Sequence, residues 1–176
     1  YGCNQLVSVN VPEVVTAIGE RAFYSCQRLS SITIPDGIET IQPRTFFQCS
    51  ALRTISLPDS ITTIGDYAFS NCLSLDLTLP PNLILIGYGA CEYTAIKEVV
   101  IPAGVTVIEG SAFAGCNKLK SVKVPNGITE LKNGVFQDCS NLESVTLSET
   151  VVSIGSGSFS QCTSLKSFEF PLGITI

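Results

Sequence analysis

The sequence predicts a solenoid made mostly of strand. Short parallel β-strands stack into a sheet, one per coil, in about seven coils of 22–23 residues. Two observations predict it. Segments recur in phase: Pro35 opens P-D-G-I-E-T-I-Q-P-R-T-F-F-Q-C-S-A-L, Pro58 opens P-D-S-I-T-T-I-G-D-Y-A-F-S-N-C-L-S-L, and Pro102 opens P-A-G-V-T-V-I-E-G-S-A-F-A-G-C-N-K-L. Self-similarity at a period of roughly 20–50 residues marks a stacked array. The cysteines keep the same phase: Cys3, Cys26, Cys49 and Cys72 stand 23 apart, as do Cys116, Cys139 and Cys162. Each coil is too small to bury its own apolar face, so it must stack.

Within a unit, L-x-x-I-x-I ends in an apolar/polar alternation, which gives a short strand with one buried face. Proline ends it because it donates no ladder bond. Asp-Gly or Asn-Gly then turns the chain in several units. The I-x-x-I-G segment returns along the outside as a second extended element, and glycine permits the next bend. The A-F-x-x-C-x-x-L spacing places Phe, Cys and Leu three apart on one side, which suits a single helical or 3₁₀ turn.

The chain enters mid-repeat at Tyr1, and the first complete unit runs from Pro12 to Ile34. The second opens at Pro35, with Gln42-Pro43 where Gly completes the Ile-Gly step elsewhere, and the third at Pro58. The fourth, from Pro80, is irregular: Cys91 stands at the phenylalanine position and Thr94 at the cysteine position. The third and fourth units are each one residue short, 22 rather than 23, between the cysteine position and the sheet. The fifth and sixth open at Pro102 and Pro125, and the seventh at Ser148, ending with Phe168 and Phe170 in phase. The file Phe23, Phe46, Phe69, Phe113, Phe136 and Phe159 is expected to form a stacked core spine.

Composition narrows the function. The chain is 45% hydrophobic and 14% charged, which excludes disorder. A net charge of −5 with scattered Lys and Arg gives no footprint for nucleic acid. No run of about 18 apolar residues argues for membrane insertion, and no segment has the basic-then-apolar pattern of a secretory leader. Histidine is absent, which removes the usual general base and the commonest metal ligand. No Ser-His-Asp or Cys-His set and no phosphate-binding glycine loop occurs, so the chain is expected not to be an enzyme. With no C-x-x-C pair, the eight cysteines read as buried thiols rather than a zinc site, and stacked side chains suit a disulfide poorly. No cofactor is expected. The absence of methionine and the mid-repeat ends lead us to expect a single solenoid over 1–176, cut from a longer protein. Its uncapped end coils are expected to favour end-to-end self-association.

The repeat P-x-x-[IVL]-x-x-I-G-x-x-A-F-x-x-C-x-x-L-x-x-[IV]-x-[IVL] resembles the BspA-like, or Treponema-type, leucine-rich repeat. Ala22-Phe23-Tyr24-Ser25-Cys26, Ala68-Phe69-Ser70-Asn71-Cys72 and Ala112-Phe113-Ala114-Gly115-Cys116 carry its most specific step intact. The resemblance implies a leucine-rich-repeat solenoid of the α/β horseshoe type, mostly β. Its parallel β-sheet would line the concave face, with short extended or 3₁₀/helical turns outside. It also implies a cell-surface or secreted protein associated with adhesion and with binding host or other proteins.

Two sets of residues are candidate binding positions. By alternation the outward sheet positions are Ser8/Asn10, Ser31/Thr33, Thr54/Ser56, Asp76/Thr78, Glu98/Val100, Ser121/Lys123, Ser144/Thr146 and Ser167/Glu169. They form a hydroxyl-rich row of the kind a solenoid presents to partners. Against that, Ser and Thr are ordinary residues on a sheet, and the row has no aromatic or arginine anchor. The second set is Tyr88 and Tyr93 in the irregular unit. Either a local bulge exposes a tyrosine to a partner, or the unit has decayed and Cys91 or Tyr93 fills the missing ring's space. The leading expectation is a non-catalytic protein-binding and adhesion module, with a host or matrix protein as partner. The alternatives are a structural spacer and a carbohydrate-binding face.

Overall fold

The computed structural model describes residues 2–168, 171, 172 and 174. Twelve short strands follow one another: β1 Ser31–Thr33, β2 Thr40–Ile41, β3 Thr54–Ser56, β4 Thr63–Ile64, β5 Leu85–Ile86, β6 Glu98–Val100, β7 Val107–Ile108, β8 Ser121–Lys123, β9 Glu130–Leu131, β10 Ser144–Thr146, β11 Ser153–Ile154 and β12 Ser167–Phe168. They form two faces of parallel pairs. One face carries β1–β3 and, separately, β6–β8–β10–β12; the other carries β2–β4–β5–β7 and, separately, β9–β11. The register repeats the sequence period. Ser31 pairs with Thr54 and Ser121 with Ser144, 23 residues apart, while Thr63 pairs with Leu85 and Leu85 with Val107, 22 apart. The shortened units are thus absorbed without a slip on the β2–β7 face.

The repeat count is lower than the sequence reading. Among the described residues each face has six strands, and the six on the β2 face enclose five turns. The first unit's Ala17-Ile18 forms no strand there, and the third unit's Asp76-Leu77-Thr78 forms none on the β1 face. Seven phased segments therefore do not give seven full strand pairs. Phe170 and Glu169, read as a core and an outward residue, lie outside the described residues, as does the side chain of Ser167.

Between the β11-type and β12-type strands the chain makes successive tight turns, and no helix occurs among the described residues. Local bonds close the turns, as in Tyr24 N–H to Arg21 C=O and Cys26 N–H to Phe23 C=O, both 3.1 Å. The intervening N–H groups instead reach the next coil: Arg21 donates to Pro43 C=O, Phe23 to Thr45 C=O and Ser25 to Phe47 C=O. Within these turns two positions per unit adopt positive φ, including Arg44 and Gln48 in the second unit and Tyr67 and Asn71 in the third. This is why the expected helical or 3₁₀ turn does not develop. Left-handed residues break the right-handed run, and the bonds to the next coil compensate their cost.

The core is the phenylalanine spine with its flanking aliphatics. Phe23, Phe46 and Phe69 stack at 5.3 and 5.5 Å, and Phe113, Phe136 and Phe159 at 5.6 and 5.7 Å, all near-parallel. Seven cysteines are buried as free thiols, and Cys3 is exposed. The thiols are more than small hydrophobes. Cys49 Sγ donates to Phe23 C=O at 3.0 Å and Cys72 Sγ to Phe46 C=O at 3.1 Å. Cys139 and Cys162 repeat the bond to Phe113 and Phe136, each at 3.2 Å. The file is a set of hydrogen bonds between coils. Glycine completes the packing: a Cβ on Gly87 would lie 2.7 Å from the Asp66 backbone nitrogen, and one on Gly155 2.6 Å from that of Asn133. Where Glu109 and then Lys132 occupy this step in successive coils, β7 and β9 do not pair.

Candidate functional site

The outward row behaves as alternation requires. Ser31, Thr33, Thr54, Ser56, Asp76, Thr78, Glu98, Val100, Ser121, Lys123, Ser144 and Thr146 are all exposed, as are Ser8 and Asn10. Ile32, Val99, Val122 and Val145 between them are buried. An isolated bridge from Ser8 to Ser31 extends the face by one coil.

The row is interrupted at Asp76 and Thr78, where no strand forms. In regular units the N–H preceding the strand donates to a carbonyl of the coil before: Arg53 to Ser30 at 3.0 Å, Lys120 to Lys97 at 3.1 Å. The missing residue before Leu77 displaces that carbonyl. The Asp76 side chain takes its place, accepting from Lys97 N–H at 3.2 Å and from Lys97 Nζ at 2.8 Å. That bond and the carboxylate's charge hold the Lys97 ammonium above the usual lysine range. Asp76, a candidate binding residue by sequence, is thus also the ladder's local substitute. Beside the interruption lies a groove of about 580 Å³, lined by Thr78, Pro81, Glu98, Val100, Pro102 and Ala103 among others. Val100 is 84% exposed there.

The tyrosines of the irregular unit occupy the turn side, away from this groove. Cys91 sits at the ring position, fully buried, and burial pushes its thiol well up. Tyr93 therefore does not replace the missing phenylalanine. It lies outside at 39% exposure, and Tyr88 at 42%. Each rests on a glycine of the next coil: a Cβ on Gly115 would meet the Tyr93 ring at 2.2 Å, and one on Gly110 the Tyr88 ring at 3.0 Å. Tyr67 rests in the same way on Gly89, at 2.8 Å. The signal that sequence reading missed is this tyrosine with glycine 22 positions on, three times over. Tyr67 and Tyr88 meet ring to ring at 5.5 Å, tilted 60°, and the Arg44 guanidinium stands 5.0 Å from the Tyr67 centroid. Asp66 Oδ1 accepts from Tyr88 N–H at 2.9 Å, and Glu92 accepts from Ser70 Oγ at 3.1 Å. Partial burial raises the pKa of both Tyr67 and Glu92, making each a weaker acid. For Tyr67 the Tyr88, Glu92 and Asp66 charges add to that rise, and Arg44 opposes it. Among the described residues no group of three or more His, Cys, Asp or Glu is placed to hold a metal.

The repeat geometry defines a parallel β-solenoid of leucine-rich type, and the comparisons place it within that class. The model of the BspA-type leucine-rich repeat region matches residues 1–93 and 84–176, in six copies. The chain belongs to this family. It is similar to a leucine-rich repeat protein of Bacteroides ovatus, at 37% identity and a TM-score of 0.91, over 96% of this chain and 46% of that one. It is also similar to the Treponema pallidum leucine-rich repeat protein, at 30% identity and a TM-score of 0.81, over 91% and 78%. The chain thus spans under half the length of the Bacteroides protein. No curated protein matches significantly.

Proposed function

We propose that the chain is a non-catalytic protein-binding module with an adhesion role, presented at a cell surface or secreted. It binds its partner, a host or matrix protein, through the outward row from Ser31 to Thr146. The observation that supports this reading most is the groove at the row's interruption, where exposed Val100 and Thr78 lie beside Glu98. Val100 shares the groove with Pro81, Pro102 and Ala103, and a contiguous exposed apolar patch is what marks an interaction site. The test is binding of the chain to an array of immobilised matrix and serum proteins, with Val100→Asp as the disabled variant. Saturable binding that Val100→Asp weakens supports the reading, and unchanged binding removes this face. A chain that binds none of the proteins acts as a spacer. The absence of aromatic and arginine anchors from the row favours that second reading.

A further inference from the structure

The charges of the chain are unevenly spread. Between Arg53 and Lys97 there are four acidic residues, Asp59, Asp66, Asp76 and Glu92, and no Lys or Arg, so four of the five net negative charges fall in this stretch. Asp76 is neutralised by Lys97. Asp66 and Glu92 each spend one oxygen on the bonds to Tyr88 N–H and Ser70, and no bond of the other oxygen is found among the described residues. Both carboxylates belong to the surface on which Tyr67 and Tyr88 meet. Glu92 Oε2 lies 3.4 Å from the point where a Gly89 Cβ would stand, and the Tyr67 ring 2.8 Å from it. Any side chain at 89 would cover that ring, and any at 110 would strike Tyr88.

The molecule already shows what such a surface attracts. Arg44, from the coil before, places its guanidinium over the Tyr67 ring at 5.0 Å. A ring's electron-rich face attracts a cation, and adjacent carboxylates add a charge-assisted bond. Tyr88 presents the same chemistry one coil on, and the stretch holding it supplies no cation of its own.

We propose that this turn face is a docking surface for a basic segment of a protein partner. Tyr88, whose neighbour Tyr67 is already covered by Arg44, receives an arginine or lysine side chain beside Asp66 and Glu92. The proposal rests on the protein-binding reading and adds a second surface, opposite in character to the hydroxyl-rich row.

The test is a titration of the whole chain with an N-acetylated, C-amidated tetra-arginine peptide, followed by tyrosine fluorescence; the chain has no tryptophan to mask it. The expected result is saturable binding that weakens as salt screens the exposed charges. Tyr88→Leu keeps an apolar cover over Gly110 and removes the ring, and lowers affinity about tenfold. Glu92→Gln lowers it several-fold, and Glu149→Gln, in the seventh unit, leaves it unchanged. Binding that fails to saturate, that Tyr88→Leu leaves intact, or that Glu149→Gln weakens as much as Glu92→Gln overturns the proposal. A matrix protein still held by Tyr88→Leu after the peptide has failed removes this surface alone and leaves the protein-binding reading standing.

Discussion

The second unit, Pro35–Leu57, and the fourth, Pro80–Ile101, solve the same stacking problem with different side chains. In the second, Phe46 is stacked between Phe23 and Phe69, and Cys49 reaches back to the Phe23 carbonyl. In the fourth, the ring is gone, and Thr94 turns its hydroxyl to its own coil's Cys91 carbonyl at 2.8 Å and to Cys116 Sγ at 3.3 Å. Yet β5 pairs on both sides, and Gly89, Cys91 and Tyr93 each donate to the fifth coil as Arg44, Phe46 and Gln48 donate to the third. The backbone ladder survives the loss of the side-chain spine. What changes is the surface. Among the described residues, four of the nine exposed large hydrophobics, Ile84, Tyr88, Tyr93 and Val100, lie in the fourth unit. A coil relieved of strict repetition is where the chain presents apolar side chains outward.

That contrast can be broken most sharply at the spine. Phe46→Ala is expected to cost about 3–5 kcal/mol, because it empties a fully buried site with a ring on each side. Cys91→Ala removes one atom from a site that has already closed, and its cost in urea unfolding stays well below that. Equal costs would show that stacking does not distinguish the two units.

The thiols sharpen the comparison through pH. Burial raises Cys49 to about 12. Burial also raises Cys116, against the irregular unit, but the Thr94 hydroxyl bond opposes it and leaves it at about 11. Both lie above an ordinary thiol near pH 9. Their stabilisation is therefore complete below about pH 9 and is lost as pH rises through 11 and 12, because the unfolded thiols ionise first. The loss is about 1.4 kcal/mol per pH unit per thiol inside that window. Ultraviolet thiolate absorbance should show Cys116 ionising before Cys49, and Thr94→Val should narrow the gap.

The smallest expected effect concerns glycine. Gly87→Ala, against the Asp66 backbone, is expected to cost about 1–3 kcal/mol. Gly19→Ala meets nothing within 4 Å and is expected to be neutral or slightly stabilising in the same assay.

Much of this was legible in the sequence. Strand positions, the phenylalanine spine and the outward row follow from phase and alternation, because those side chains answer to burial. The left-handed residues were not legible. Arg21, Gln48 and Tyr67 carry no glycine signature, and their conformation is imposed by bonds to the next coil. Nor was the thiol bond, since phase shows only that cysteine is inside. Asp76 reads as an outward sheet residue; it is exposed but lies in no strand, and its carbonyl-like role depends on a missing residue whose local effect only the geometry reveals. Tyr88 and Tyr93 were singled out by sequence, but their glycine seats needed the register.

The bonds on the turn side carry one more consequence. Among the described residues nineteen of them, from Gly2 to Asp138, run in one sense, each N–H toward the later coil. Each peptide unit carries a dipole of about 3.5 D, and aligned units add. Parallel strands elsewhere in the coil contribute little to the sum. The turn side is therefore polarised along the stack, while the sheet sides carry bonds of the opposite sense, such as Gly65 N–H to Ile41 C=O and Gly87 N–H to Ile64 C=O. On the turn side the positive end of each dipole points toward the later coil, a polarity opposite in chain direction to that of an α-helix.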